Sequence, residues 1–231
     1  LLHEKGHLTF LCSGRTRAMI KSEALLSLGF DGIVAACGTH IEFEGEKLFE
    51  LLLTKEQIGH ILAVLRKHQI PMVLEGPNYI YVDEKDFADD PYVIYLRNEL
   101  GENLKSITGT AQYEVNKLSA ELGNADVELV RKELGTEFDM IVHEPDGILE
   151  IGQAGHSKAS GIERLCASLG IAKEDTYAFG DSANDVEMLE FVAHGIAMGN
   201  GTDVAKNAAE FVTTDIHKDG IWNGLKHYGL I

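Results

Sequence analysis

Phe179-Gly180-Asp181-Ser182-Ala183-Asn184-Asp185 places four polar side chains where an apolar run meets an amphipathic one. Gly180 permits a tight exit from an extended segment. Asp181 then stands at a strand tip and can offer an oxygen to a hard cation such as Mg²⁺. Asn184 and Asp185 follow about one helical turn later and can point back to the same place. An Asp or Ser ahead of a helix also serves as an ordinary N-cap, so the case for chemistry rests on the whole stretch. Lys158 opens another predicted helix, a position where the helix dipole favours an acid. A phosphoryl group held by a metal on one side needs such a cation on the other. Ser13-Gly14-Arg15 closes an apolar run near the start of the chain. The Ser13 hydroxyl and the amides after it suit phosphate oxygens at a strand-to-helix turn, although a helix cap would use the same residues.

These groups need a scaffold that brings strand ends together. Short apolar runs at 7–13, 32–37, 176–181, 195–198 and 211–213 each end in small or polar residues. Amphipathic helical stretches are predicted at 16–28, 158–169, 183–192 and 203–209. Apolar strands alternating with helices imply an α/β core with a parallel sheet covered on both faces. Ligands bind beyond the carboxyl ends of such strands, where Ser13-Gly14-Arg15, Cys37-Gly38-Thr39, Gly180-Asp181-Ser182 and Met198-Gly199-Asn200 fall. The middle of the chain breaks this rhythm. Helices are expected at 55–68, 92–100 and 126–134, and strands at 72–75, 79–82, 138–143 and 147–151, with an extended stretch around 112–121. Glu144-Pro145-Asp146 before Gly147 is a hairpin signal. The pattern predicts a core formed by 1–53 and 154–231, with an α+β module inserted at 54–153. Leu1-Leu2-His3-Glu4-Lys5 reads as a last helical turn stopped by Gly6, which predicts an absent strand and most of a helix, roughly 30 residues, ahead of it.

Composition narrows the function classes. The chain has 231 residues, 45% of them hydrophobic, which suffices for a sizeable core. It carries 37 acidic against 20 Lys and Arg residues, a formal charge of −17. That balance argues against general nucleic-acid binding, which depends on cations neutralising phosphates. It leaves room for a small anionic substrate met by one lysine and a divalent cation. No apolar run is long enough to span a bilayer. Cys12, Cys37 and Cys166 are isolated and odd in number, as expected of packing thiols in a reducing cytoplasm. His3-Glu4-Lys5-Gly6-His7 matches a zinc-protease pattern, but Gly6 and the strand after it deny the continuous helix that the pattern needs.

The order and spacing of these segments resemble the haloacid dehalogenase superfamily, in particular its Cof-type phosphatases. Leu11-Cys12-Ser13-Gly14-Arg15 is similar to the second family motif, Ser157-Lys158-Ala159 to the third, and Gly180-Asp181-Ser182-Ala183-Asn184-Asp185 to the fourth. Ala197-Met198-Gly199-Asn200 and Asp219-Gly220 look like its closing segments. The resemblance implies a Rossmann-like core with a large α+β cap, and Mg²⁺ as cofactor held by Asp181 and Asp185. It implies that Ser13, Gly14, Lys158 and Asn184 bind the phosphoryl group, with Ser13 and Lys158 acting in catalysis. The implied activity is hydrolysis of a small phosphorylated metabolite through an aspartyl-phosphate. The family's first motif, an Asp-x-Asp carrying nucleophile and acid/base, has no match in these 231 residues. The nucleophile is therefore expected in a preceding segment, and the chain as it stands is expected not to turn over substrate. A phosphomutase on the same core, or a non-catalytic phosphate-binding protein, are the other readings. Release of free phosphate separates hydrolysis from transfer.

Overall fold

The computed structural model describes residues 1–83, 91–108, 112–143 and 147–231. Strands β1 (Phe10–Cys12), β2 (Gly32–Ala35), β3 (His40–Phe43) and β4 (Glu46–Glu50) come first, with helix α1 (Glu23–Leu26) between β1 and β2. Next come α2 (Lys55–Lys67), β5 (Met72–Glu75), β6 (Ile80–Val82), α3 (Pro91–Leu100), β7 (Leu104–Ser106), β8 (Lys117–Glu121), α4 (Val127–Leu134), β9 (Phe138–His143) and β10 (Ile148–Gln153). The chain closes with α5 (Lys158–Leu169), β11 (Tyr177–Gly180), α6 (Val186–Phe191), β12 (His194–Ala197), α7 (Asp203–Ala208), β13 (Phe211–Val212) and α8 (Gly220–His227). Among the described residues no helix is long and apolar enough to cross a membrane.

The chain folds as two compact units. The first comprises Leu1–Gly14, Glu23–Glu50 and His156–Ile231. In it β1 and β2 run parallel, with Leu11 opposite Ile33, and β11, β12 and β13 form a parallel set of three. Val34 and Ile41 of the first sheet pack on Leu165 of α5, while Ala178 packs with Met188 and Val192 of the α6 region; Cys12 touches both clusters. The parallel strands thus fall into two sheets, and the first ends in an antiparallel hairpin, β3–β4, paired to β2. That hairpin is absent from the sequence expectation. Its signal is the alternation Ile41-Glu42-Phe43 running into Glu44-Gly45, both of which sit at positive φ, 50° and 82°.

The stretch 16–28, expected as one helix, is broken. A 3₁₀ turn at Arg17–Met19 is followed by Ile20 at φ −91°, ψ 84°, and only then by the four-residue α1. Ala18 and Ile20 are buried, and Ala18 packs with Val73, Ile80 and Val82. Burial of these two side chains overrides helix propensity.

The second unit comprises Arg15–Ser22 and Leu51–Gly155, built on a six-stranded sheet of order β7-β6-β5-β8-β10-β9. Period-2 alternation divides its side chains between two faces. On one, Leu74, Leu118, Leu149 and Ile151 pack on Ile58, Ile61, Leu62 and Leu65 of α2 and on Val130 and Leu134 of α4. The α2 spacing is that of a helix with one apolar stripe, and each such side chain contributes about 1.5–3 kcal/mol by leaving water. On the other face Val73, Ile80 and Val82 meet Val93, Leu96 and Leu100 of α3. Lys117 and Glu150 form an ion pair of 2.7 Å on that second face. The helix at 92–100, and the strands at 72–75 and 138–143, fall within a residue of their expected places. The hairpin signal Glu144-Pro145-Asp146 lies outside the described residues, but β9 and β10 on either side of it pair antiparallel, His143 opposite Ile148.

Helix α2 starts where it does because Thr54 and Gln57 cap each other. The Gln57 amide donates to Thr54 Oγ1 at 3.2 Å and the Thr54 amide donates to Gln57 Oε1 at 2.9 Å. Thr54→Ala is expected to cost about 1 kcal/mol, read as a lower urea midpoint at constant slope. An unchanged midpoint would show that the cap contributes nothing.

Candidate active site

Four segments of the first unit converge on one edge. Helix α5 begins with Lys158 because Ser157 caps it: the Ser160 amide donates to Ser157 Oγ at 3.4 Å, and the Ser157 amide donates to Ser160 Oγ at 2.9 Å. Lys158 is buried, its side chain 7% exposed. Its Nζ donates to Asp185 Oδ1 at 2.7 Å and to Asn184 Oδ1 at 3.3 Å. The conflict with the helix dipole expected at this position is therefore met by a carboxylate from another segment.

Asp185 organises the loop after β11. Its Oδ2 accepts the amides of Asp181 at 2.9 Å and Ser182 at 3.1 Å, and the Ser182 hydroxyl at 3.3 Å. Burial alone would raise its pKa; the charge and hydrogen bond of Lys158, with the two amides, outweigh burial and hold the carboxyl below its usual range. Asp185 is consequently an anion at neutral pH, facing the Lys158 ammonium. Gly180 is needed here for space. A Cβ at that position would lie 2.6 Å from Asp185 Cβ, so any larger residue pushes Asp185 away from Lys158.

Asp181 is anchored by its main chain: its amide donates to Asp185, and its carbonyl accepts the Thr202 amide at 2.8 Å. The residue itself is exposed, which leaves it the accessible carboxylate of the pair. Among the described residues no group of three or more His, Cys, Asp or Glu is arranged to hold a metal. Asp181 and Asp185 supply hard oxygen donors only. That donor set fits Mg²⁺, which takes one or two carboxylates and fills its remaining positions with water and substrate phosphate.

Ser13 and Gly14 close the edge from the other side. The Ser13 amide donates to the Val34 carbonyl at 2.8 Å, and its carbonyl accepts the Cys37 amide at 3.3 Å. A Cβ built on Gly14 would stand 3.4 Å from Cys37 Sγ and 3.8 Å from Asn184 Nδ2. Ser13, Gly14, Lys158, Asn184 and Asp185 are thus brought together, with Asp181 hydrogen-bonded into the same loop. Beneath them, burial pushes the Cys12 thiol up to about 12, the Lys158 charge opposing only in part. Cys12 is a packing residue with no thiolate to offer.

One component of the site escaped the sequence reading. After β2 the chain makes three consecutive left-handed residues, Ala36 at φ 50°, Cys37 at φ 52° and Gly38 at φ 85°. The run 32–37 was expected to continue as strand through Cys37. Such φ values are costly for residues other than glycine and gather at functional sites. The Gly38 signal was present, but nothing local marks Ala36 or Cys37 as left-handed.

The model of a protein family described as haloacid dehalogenase-like hydrolase matches residues 1–225, and the chain belongs to that family. A putative phosphatase of Bacillus subtilis, YkrA, is 30% identical over 232 residues, covering 100% of this chain and 88% of that protein. A phosphoglycolate phosphatase of Halobacterium salinarum is 30% identical over 193 residues, covering 70% of this chain and 85% of that one. The crystal structure of a hypothetical protein of Geobacillus kaustophilus HTA426 superposes with a TM-score of 0.83 at 31% identity, over 100% of this chain and 88% of that one. Within the family the chain is a Cof-type phosphatase, a phosphoric monoester hydrolase.

Proposed function

We propose that this phosphatase removes phosphate from a small phosphorylated metabolite in the cytoplasm, with Mg²⁺ as cofactor and an aspartyl-phosphate as intermediate. The observation that carries the proposal is the Lys158–Asp185 pair at 2.7 Å, locked by the same carboxylate that receives the Asp181 amide. A buried ion pair is a poor device for stability; at a strand-end edge beside an exposed carboxylate it suits charge on a transferring phosphoryl group.

In this reading Asp181 holds Mg²⁺ and Asp185 backs it, while Ser13, Gly14, Lys158 and Asn184 face phosphate oxygens. The metal, when bound, polarises the phosphoryl group and offsets its charge. Lys158 stabilises the charge that spreads over the phosphoryl oxygens in the transition state. Asp185 keeps the ammonium aimed, and the Ser13 hydroxyl with the Gly14 amide orients the group for in-line attack. The attacking carboxylate comes from an Asp-x-Asp outside these 231 residues, since none lies within them. Attack forms the carboxyl–phosphate bond and expels the alcohol, and water then releases phosphate.

Chelation tests the cofactor. With the nucleophile-bearing protein, excess EDTA is expected to reduce phosphate release from p-nitrophenyl phosphate by about 10³ or more, and added Mg²⁺ to restore it. Undiminished release in EDTA would remove the metal from the mechanism. Formation of a transferred phosphate ester in place of free phosphate would favour a mutase.

A further inference from the structure

We propose that His40 is a positioning residue of the phosphate site, an imidazolium clamp that ties β3 to β4 and holds the Ala36–Gly38 turn against Gly14 and the start of α5. Its Nε2 lies 2.8 Å from Glu42 Oε1 and its Nδ1 lies 2.9 Å from Glu50 Oε2, in a side chain only 4% exposed. A neutral imidazole has one N–H, so one of these contacts would set a lone pair against a carboxylate. Between two ionised carboxylates, the doubly protonated ring satisfies both. Burial by itself lowers the pKa of His40, but the hydrogen bonds and charges of Glu50 and Glu42 outweigh it and raise the pKa above its ordinary value.

The clamp stands at the root of the turn. His40 is the first residue of β3 and pairs with Ala35, the last of β2, so the three left-handed residues are strung between them. The turn meets both halves of the phosphate site. Cys37 donates its amide to Ser13 and sets its Sγ beside Gly14. Gly38 lies so close to the Ser157 carbonyl and to Gly161 that a Cβ there would be 2.8 Å from Gly161 Cα. A strained turn keeps one shape only while its surroundings over-determine it, and the clamp belongs to those surroundings together with the Thr39 hydroxyl, which donates to the Ala36 carbonyl at 2.8 Å. Among the described residues of the packed elements, β2 brings no charge, β4 brings Glu46 at the far end and Lys47 3.4 Å from Glu50, and α5 brings Arg164, stacked over Phe49.

Because the folded pKa is raised, the clamp is fully present below the free histidine value of about 6.5 and is lost as pH climbs through the folded value. The clamp rests on the phosphatase reading only for its catalytic consequence, so two readouts are needed. In the wild-type chain, NMR titration is expected to show the amides of Gly14, Cys37 and Lys158 shifting with the same midpoint as the His40 ring. Glu42→Gln lets a neutral ring accept from the new amide, and should lower that common midpoint by about one unit or more; Glu50→Gln should act likewise should Glu42→Gln fail to fold. In the nucleophile-bearing enzyme, kcat should fall about tenfold across the same pH interval, with the limb moved down in the variants. Amide shifts that do not follow the ring overturn the clamp. So does an alkaline limb that stays in place while the ring midpoint moves. Amides that follow the ring, combined with no phosphatase activity of the nucleophile-bearing enzyme at any pH, would leave the clamp standing and sink the function.

Discussion

Replacing Lys158 with alanine in the nucleophile-bearing enzyme is expected to reduce kcat by roughly 10²–10³, the loss typical of a preorganised electrostatic donor. The structure gives the reason. Lys158 Nζ is held by Asp185 at 2.7 Å and Asn184 at 3.3 Å, so its charge is in place before any substrate arrives and no reorganisation accompanies the reaction. The same burial makes the substitution risky for stability, because it leaves the Asp185 anion without its cation. Circular dichroism and the melting temperature must therefore accompany the kinetics. Lys158→Arg is the informative companion: it keeps the charge in a broader, planar head that cannot occupy the same slot, and should recover stability ahead of rate. An alanine variant that remains folded and retains more than half of wild-type kcat would take Lys158 out of the mechanism.

The second large effect is expected from Gly38→Ala. At φ 85° an alanine costs about 1–2 kcal/mol in backbone strain. Its Cβ would also meet the Ser157 carbonyl and the Gly161 backbone, groups that belong to the start of α5 and cannot rotate away. Together these should destabilise the protein by about 3 kcal/mol or more, seen as a melting temperature lower by about 10 °C. The helix bearing Lys158 has to move to admit the methyl group, so surviving protein should also turn over more slowly. A melting temperature within about 2 °C of wild type would show that the turn yields freely, and would weaken the case for a rigid wedge at the site.

The segments of the candidate site could be picked out from local sequence features, whereas several details of the frame around them could not. Gly180-Asp181-Ser182-Ala183-Asn184-Asp185 announces itself because a strand end, a small residue and carboxylates one turn apart are all local features. Lys158 was found through a local conflict, a cation at a helix start, whose resolution by Asp185 is long-range. What local pattern could not show is how closely the backbone packs. Gly180 looked like a tight exit, yet the structure explains it by the space that Asp185 fills. The left-handed Ala36 and Cys37 carry no residue-type signal, since tertiary contacts impose their conformation. His40, Glu42 and Glu50 belong to a hairpin whose local mark is the Glu44-Gly45 turn, but their mutual pairing depends on strand register, which shifts between Ile41 and Glu42. The break within 16–28 has the same origin: apolar periodicity fits a helix, and the burial of Ala18 and Ile20 decides otherwise.

The most direct test is calorimetric titration of inorganic phosphate into the chain with and without Mg²⁺, for the wild type and for Asp181→Asn. Wild-type protein should bind phosphate at least tenfold more tightly with Mg²⁺ present, and the variant should lose that enhancement while keeping its fold. Equal affinity in all four experiments would contradict a shared metal and phosphoryl site at Asp181 and Lys158.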